Sequence, residues 1–217
     1  MAGLLGGGCA PSLDPIAVAP GCPDAPLRGP ALDADEPADR LLSDFEDGTT
    51  QLAQVAARDG RWIRGRDLTS SSVTIEPSGA CAGRGAWAGH FAASTPTSWG
   101  NNWTAEFRMS GAAYDGRAYG GFSFWGAFGD GNGPSFGVPF GITTVDTIRP
   151  GCTSHCDDHY MAAVTLTREW RRYDVRFDDL TQGISPQVPM RRDQLIGLII
   201  WPRQQCDIWI DDVRLEP

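Results

Sequence analysis

The segment Cys152-Thr-Ser-His-Cys156-Asp-Asp-His159 places two cysteines and two histidines close together in a predicted loop. Thiolate and imidazole are zinc ligands, but a structural zinc site ordinarily combines a CxxC pair with a second pair, and Cys81 and Cys206 are single. A disulfide between Cys152 and Cys156 is geometrically feasible in an irregular loop, and we predict that pairing, with zinc ligation and free thiols as alternatives. Cys81 and Cys206 are candidates for a second bridge, which the sequence cannot pair.

Several motifs of common catalytic machineries are missing from the sequence. It contains no phosphate-binding Walker loop, no dinucleotide fingerprint and no His-Glu-x-x-His zinc motif. A glycoside hydrolase needs two carboxylates at a fixed separation, one of them with a raised pKa. The glutamates stand in no recognisable catalytic setting, although Glu106, on an alternating strand, could face a cleft. We therefore expect a protein that binds rather than catalyses.

The elements that must position these residues are predicted to be β-strands. Ten short segments, apolar or alternating with period two, are bounded by Gly, Pro, Asn and Asp. They cover 61–64, 72–76, 87–91, 103–109, 120–127, 141–148, 162–167, 171–177, 195–200 and 207–215, while 51–58 fits a short helix or a strand. The 172–178 segment alternates as a half-buried antiparallel strand does, and 195–201 is apolar on both faces like a central strand. Strands without intervening helices predict an all-β fold, a two-sheet antiparallel β-sandwich of the jelly-roll type.

Composition and charge narrow the class of protein. At 217 residues, of which 41% are hydrophobic and eight are tryptophans, the chain can form one domain with a substantial core. The net charge is −9, all 18 basic residues are arginines, and no basic block offers a surface to nucleic acid or an anionic membrane. No apolar run reaches the roughly 18 residues that a spanning helix needs. We expect a monomer without a nucleic-acid partner.

Residues 1–40 differ from the rest of the chain. They are acidic and rich in Pro, Ala and Gly without a period of 2 or 3.6, so we expect a disordered, flexible linker ahead of a domain over 41–217. Residues 5–9 resemble the lipobox of bacterial lipoproteins, in which the cysteine is lipidated. Because no positive residue and little apolar sequence precede Cys9, either the start is truncated or Cys9 is an ordinary residue of a Gly-rich terminus. A lipidated Cys9 would tether the domain to a membrane.

A family resemblance rests on motifs at both ends of the predicted domain. Ser43-Asp-Phe-Glu-Asp-Gly48 opens it, and Asp207-Ile-Trp-Ile-Asp-Asp-Val-Arg-Leu215 closes it. Between them, in order, lie the segments 120–125, 152–160, 167–173 and 177–182. Together they resemble the galactose-binding-like jelly rolls and, within these, the family-11-like carbohydrate-binding modules of secreted bacterial proteins. The resemblance covers roughly residues 41–217.

The resemblance implies a structural calcium ion between the two ends of the domain. The first and last strands of a jelly roll commonly lie together, which would bring Asp211 and Asp212 near Asp44 and Glu46. Gathered carboxylates repel one another unless a cation intervenes, and Ca²⁺ takes six to eight oxygen ligands. We therefore expect Ca²⁺ at Asp44, Glu46, Asp211 and Asp212, with a solvated acidic edge as the alternative.

The resemblance also implies a polysaccharide ligand on a concave sheet. Sugar C–H groups stack on indole and phenol faces, while hydroxyls need polar partners. If Phe122 and Phe124 fill the core, Trp125 lies on the opposite face. The candidate ligand-binding residues are Trp125, Trp99, Trp103, Tyr119, Arg117, Asp146, His159 and Gln182.

The predicted function is non-catalytic binding of a polysaccharide by a secreted or tethered module. It would act outside the cell or in the cell envelope, reaching a membrane only through a lipid anchor. A cell-surface protein-interaction or adhesion domain without sugar affinity is one alternative, because a fold alone does not fix function. A glycan-active hydrolase is the other.

Overall fold

The computed structural model describes residues 37–55, 57–77, 87–129, 136–154, 156–183 and 188–217. The predictions for the linker, Cys9, Cys22 and Cys81 fall outside these residues. Eleven strands run along the described chain: β1 Leu41–Ser43, β2 Arg61–Arg66, β3 Ser71–Pro77, β4 Trp87–Ala93, β5 Asn101–Glu106, β6 Gly121–Phe128, β7 Phe136–Thr144, β8 Tyr160–Leu166, β9 Arg171–Arg176, β10 Leu195–Ile200 and β11 Cys206–Glu216. Helical structure within the described ranges is confined to the 3-10 turns Ala38–Arg40, Val145–Thr147, Phe177–Asp179 and Arg192–Gln194.

The strands form two antiparallel sheets. Sheet A has the order β3-β4-β11-β6-β9, with β1 also paired to β11, and sheet B has the order β2-β5-β10-β7-β8. The all-β jelly-roll prediction is confirmed. None of the described helices is long and apolar enough to cross a bilayer.

The two sheets pack face to face through aromatic side chains. Phe124 of sheet A stacks on Phe140 of sheet B with ring centroids 4.4 Å apart. Phe91 of sheet A meets Trp103 of sheet B edge to face at 5.3 Å. Such pairs add about 0.5–1.5 kcal/mol each to the stabilisation that burial of the rings provides. The alternation of apolar residues along each strand therefore builds one core between the sheets.

The position of β10 follows from its sequence. Leu195–Ile200 is apolar on both faces, all six residues are buried, and the strand lies at the centre of sheet B between β5 and β7. A strand with a neighbour on each side and cover on both faces tolerates such a run. The prediction of a central strand is confirmed.

The first and last strands are neighbours. Leu41 of β1 faces Arg214 of β11, and Ser43 faces Val213. Phe45, with a φ of +57°, then turns the chain away from β11 and buries its ring in the core. The predicted closeness of head and tail is therefore confirmed, and the first strand ends at Ser43, before Asp44.

A buried arginine fastens the start of the described chain to the sandwich. Arg58 is 2% exposed and donates hydrogen bonds to the carbonyls of Asp39 (2.5 Å) and Leu41 (2.8 Å). Its guanidinium lies 5.8 Å from the ring centroid of Tyr114. The Tyr119 hydroxyl donates to the same Asp39 carbonyl at 3.2 Å. These contacts hold the 3-10 turn ahead of β1 in place.

The β7–β8 connection contains the predicted disulfide. Cys152 and Cys156 are bonded, with Cα atoms 5.5 Å apart. Cys206, at the start of β11, is buried in the core. Its predicted pairing with Cys81 stays open because Cys81 is outside the described residues.

Candidate functional site on the outward face of sheet B

One face of sheet B points away from the core. Trp103 and Ala105 of β5, with Leu198 of β10, belong to the core, so Thr104 and Ile199, which alternate with them, point outward. Ile199 is nevertheless only 1% exposed. The centre of the outward face is therefore covered by neighbouring side chains, and a ligand would contact those side chains.

Two glycines lie at the centre of this face. A Cβ on Gly197 would stand 2.5 Å from the Ala105 carbonyl and 2.9 Å from the Thr104 methyl. A Cβ on Gly141 would stand 2.0 Å from the Tyr160 carbonyl. Because neither position has room for a side chain, the central strands cannot carry a bulky residue there. Neighbouring side chains can lie over these glycines instead, as the Met161 sulfur does 2.5 Å from the position of a Gly141 Cβ.

An aromatic group stands at one end of the outward face. Trp99 is 42% exposed and meets Trp201 edge to face, with ring centroids 6.3 Å apart at 85°. The Trp201 indole N–H donates to the Trp99 carbonyl at 3.3 Å. The Arg203 guanidinium carbon lies 3.8 Å from the centroid of the Trp201 ring, a cation–π contact. We call Trp99, Trp201, Arg203 and His159 the Trp99 cluster.

His159 completes the Trp99 cluster. Its ring centroid is 5.7 Å from that of Trp201, with 48° between the ring planes. Burial lowers the pKa of His159 to about 4. The charges of Asp157 and Asp158 act to raise this pKa, and the charge of Arg203 acts to lower it further. The imidazole is therefore neutral at pH 7.

The hydrogen bonds around His159 define its tautomer. Nδ1 lies 3.0 Å from Thr147 Oγ1. That hydroxyl donates to the Thr144 carbonyl and accepts from the Thr144 amide, both at 3.1 Å. Because the single hydroxyl proton is already used, the inferred donor in the remaining contact is His159 Nδ1–H. Nε2 is then the atom that a proton would reach on acidification.

Glu106 lies towards the other end of the outward face. Burial, opposed by the charge of Arg61, raises its pKa. Arg61 is its cross-strand neighbour on β2. Glu106 lies four positions after Asn102, which stands at the Trp99 end of β5, and four positions span roughly 13 Å along a strand. A half-buried carboxylate at this distance can accept hydrogen bonds from a ligand that extends beyond the Trp99 cluster.

Three of the predicted ligand residues lie outside the Trp99 cluster. Trp103 is 0% exposed and packs in the core, so its assignment to the site was wrong. Tyr119 is also buried, with its hydroxyl hydrogen-bonded to Asp39, and it stabilises the chain start instead. Arg117 is exposed but pairs with Asp115 in the β5–β6 connection, 2.5 Å apart. Sequence alternation cannot tell which face of a strand meets the second sheet.

Trp125 lies on the other sheet. The predicted alternation is confirmed, because Phe122 and Phe124 fill the core. Trp125 points outward from β6, however, and packs against a separate buried group on sheet A that contains Trp170 and Trp209. The structure therefore does not bring Trp125 together with Trp99, and a ligand contact at Trp125 stays a prediction.

The remaining predicted ligand residues flank His159. Asp146 is partly exposed in the 3-10 turn after β7. The Gln182 amide donates to the Asp158 carbonyl at 2.8 Å and accepts from the Val188 amide at 3.3 Å. Gln182 thereby holds the segment next to His159, and Asp146 stays a predicted ligand contact.

The four carboxylates of the predicted calcium site lie around the β1–β11 pairing. Glu46 accepts a hydrogen bond from the Trp87 amide at 3.0 Å, and Asp44 accepts one from the Glu46 amide at 3.3 Å. Asp211 is buried and accepts from the Asp212 amide at 2.7 Å. No group of three or more acids, histidines or cysteines among the described residues is arranged to hold a metal. The side chains as placed do not form a calcium cage, and calcium stays a prediction.

Trp201 and Arg203 belong to the site but are not among the residues predicted from the sequence. Trp201 and Arg203 follow directly on the apolar run of β10, and the pattern Trp-Pro-Arg after a central strand was the available signal. The sequence also contains a Gly-x-Ser-x-Gly match, Gly133-Pro-Ser135-Phe-Gly137. A nucleophile elbow joins a strand to a helix. This match runs into β7, and Ser135 lies outside the described residues.

The fold is similar to that of solved carbohydrate-binding modules. A family 11 module of the cellulosomal cellulase Lic26A-Cel5E of Clostridium thermocellum matches with a TM-score of 0.52 at 13% identity, over 82% of this chain and 93% of that one. A family 11 module from Clostridium thermocellum in complex with a β-1,3-1,4-mixed-linked tetrasaccharide gives the same score and identity, over 82% and 94%. The CBM22-1-CBM22-2 tandem domain of Paenibacillus barcinonensis Xyn10C gives 0.50 at 17%, over 82% and 45%.

No family model and no curated protein sequence matches the chain. At 13–17% identity, these structural similarities show the fold alone. They do not carry over to this chain what those proteins bind. The predicted resemblance is confirmed at that level. The chain is a jelly-roll β-sandwich with the fold of the family 11 carbohydrate-binding modules.

Proposed function

We propose that the chain binds a polysaccharide, without cleaving it, through the Trp99 cluster and the outward face of sheet B. The observation that carries this proposal is the exposed Trp99 indole, held edge to face against Trp201 beside the outward face of sheet B. The jelly-roll likeness to carbohydrate-binding modules supports it, since one of those modules is in complex with a tetrasaccharide.

The chemistry of the site suits a sugar chain. A pyranose presents C–H groups that stack on the Trp99 face, and its hydroxyls need hydrogen-bond partners. Asn102, on the outward face of β5, is partly exposed, and Arg203 supplies donors beside Trp201. Glu106 supplies an acceptor farther along the same strand. Aromatic stacking with polar groups at both ends gives affinity and orientation together.

The test is affinity electrophoresis in gels that contain mixed-linkage β-1,3-1,4-glucan, xylan, galactomannan or pullulan. We expect at least one polysaccharide to retard the wild type, and Trp99→Ala to lose about 5- to 150-fold in affinity, by analogy with the loss of 1–3 kcal/mol per aromatic–base stack. Trp87→Ala is the matched control, because Trp87 is similarly exposed, at 37%, but begins β4 of sheet A. It should bind as the wild type does.

Other results would decide between the alternatives. Retention by none of the polysaccharides contradicts the proposal and favours a protein-interaction domain. Shortened oligosaccharides after incubation with the protein would favour the hydrolase. Equal loss in Trp99→Ala and Trp87→Ala would show that the effect is not specific to this site.

The setting of the module is proposed on the same basis. We propose that the module is a monomer and acts outside the cell or in the cell envelope, where polysaccharides occur. The disulfide in the β7–β8 connection suits an oxidising compartment. Lipidation of Cys9 would add a membrane tether, and mass spectrometry of membrane-associated protein tests it.

We also propose a structural calcium ion at the β1–β11 pairing. The support is the adjacency of the two strands, since Ser43 faces Val213 and the carboxylates of Asp44 and Asp212 follow and precede this pair. Binding would require Glu46 and Asp211 to turn from their present hydrogen bonds towards the ion.

A further inference from the structure

Asp67 joins two loops at the end of sheet B where Trp99 stands. It follows β2, and its carboxylate accepts hydrogen bonds from both loops. Oδ1 accepts from the Thr69 amide (2.6 Å) and hydroxyl (2.5 Å) within its own loop, and from the Thr97 hydroxyl (3.0 Å) in the β4–β5 loop. Oδ2 accepts from the Gly100 amide at 2.9 Å. A single carboxylate therefore fixes the loop that carries Trp99.

The backbone on either side of Trp99 is held by this arrangement. The Asp67 amide donates to the Gly100 carbonyl at 3.0 Å, so Asp67 extends the β2–β5 pairing. Gly100 has a φ of +92°, a conformation that only glycine adopts readily, and it follows Trp99 directly. The Trp99 carbonyl in turn accepts from Trp201. Trp99 thus lies between two anchored points.

The ionisation of Asp67 agrees with this geometry. Burial acts to raise its pKa, but the hydrogen bonds donated by Thr69, Gly100 and Thr97 hold that pKa well below its ordinary value. The carboxylate is consequently charged over the range in which proteins are handled. Charge-assisted hydrogen bonds are stronger than neutral ones, which makes Asp67 a firm clamp between the loops.

We propose that Asp67 is a positioning residue of the polysaccharide site, which holds Trp99 in the orientation that stacks on a sugar. The inference rests on the function proposed above. A Trp99 side chain that is already fixed in the free protein loses less conformational freedom when the ligand binds. The affinity therefore depends on the hydrogen bonds of Asp67, although Asp67 need not touch the ligand.

Binding to mixed-linkage β-1,3-1,4-glucan is the first test. One lost hydrogen bond corresponds to about 2- to 13-fold in affinity, so we expect Asp67→Asn to bind about 5- to 20-fold more weakly and Thr97→Val about 2- to 5-fold. Thr97→Ser keeps the hydroxyl and should bind like the wild type. Asp47→Asn is the matched control, because Asp47 makes the same Asp-x-Thr turn, accepting from the Thr49 amide and hydroxyl at 2.8 Å each.

A measurement without ligand keeps the inference separate from the proposed function. In 19F spectra of protein labelled with 5-fluorotryptophan, the Trp99 signal is assigned by its absence from Trp99→Phe. Asp67→Asn and Thr97→Val should shift and broaden that signal, while Asp47→Asn leaves it unchanged. A Trp99 signal unchanged in Asp67→Asn overturns the inference, as does wild-type affinity of Asp67→Asn where Trp99→Ala has lost binding. If no polysaccharide binds the wild type, the proposed function fails, and these spectra still decide whether Asp67 positions Trp99.

Discussion

Protonation of His159 is expected to destabilise the fold as the pH falls from 6.5 to 4. Burial beside Trp201 lowers the pKa of His159 from 6.5 in the unfolded chain to about 4 in the folded protein. The unfolded state therefore binds the proton first. Stability from the neutral imidazole is fully present above pH 6.5 and is lost as the pH decreases through this window.

The size of the effect follows from the difference between the two pKa values. Each pKa unit corresponds to 1.36 kcal/mol, so the shift of His159 is worth about 3 kcal/mol at pH 4. His159→Gln has no titrating group and keeps an amide that can donate to Thr147. The variant should be less stable than the wild type at pH 7 and should lose that disadvantage on acidification.

Urea unfolding at pH 7, 6, 5 and 4, followed by far-UV circular dichroism, measures this. The difference in the free energy of unfolding between wild type and His159→Gln should change by about 3 kcal/mol from pH 7 to pH 4 in favour of the variant. Carboxylates such as Asp115, whose pKa is lowered by hydrogen bonds from Arg117, act in both proteins and cancel in the difference. Parallel stability curves for the two proteins would refute the burial of a neutral imidazole.

Further predictions concern the metal, a glycine and the buried arginine. If Ca²⁺ binds at the β1–β11 pairing, EDTA should lower the melting temperature, since a ligand at 100 times its Kd stabilises by about 2.7 kcal/mol; an unchanged melting temperature argues against the ion. Gly197→Ala should cost about 1–3 kcal/mol in urea unfolding, because its Cβ would stand 2.5 Å from the Ala105 carbonyl, and wild-type stability would contradict this packing. Arg58→Ala should cost about 2–4 kcal/mol by the same assay, because the carbonyls of Asp39 and Leu41 lose their donor; a loss below 0.5 kcal/mol, roughly that of a surface substitution, would show that Arg58 does not fasten this segment.

The strands could be predicted because the apolar pattern of a strand reflects which of its faces are buried in the sandwich. The two-sided apolar run of β10 requires a central place, and the alternation of Arg171–Arg176 requires one buried face. The predicted strand ends were less exact where the alternation of apolar residues continues beyond the last residue that pairs with a neighbouring strand. The prediction for 141–148 continues past Thr144, where the chain forms a 3-10 turn that alternation does not reveal.

The site could be predicted only in part, because a period of two does not say which sheet a strand joins. Trp99 and His159 were predicted as ligand residues, and both contact Trp201. Trp201 was not predicted, because it ends an apolar run that reads as a buried strand. Trp103 and Trp125 have the same residue type as Trp99, yet one faces the core and the other faces out from sheet A. Only the packing of the two sheets separates these three environments.

The location of the ligand tests the central claim most directly. In 1H-15N spectra, a β-1,3-1,4-linked tetrasaccharide titrated into the protein should shift the indole N–H signals of Trp99 and Trp201 and the amide of Asn102. The indole signal of Trp125, on the outward face of sheet A, should stay in place. Shifts confined to Trp125 and its neighbours, with the Trp99 cluster unchanged, would contradict the assignment of the site to sheet B.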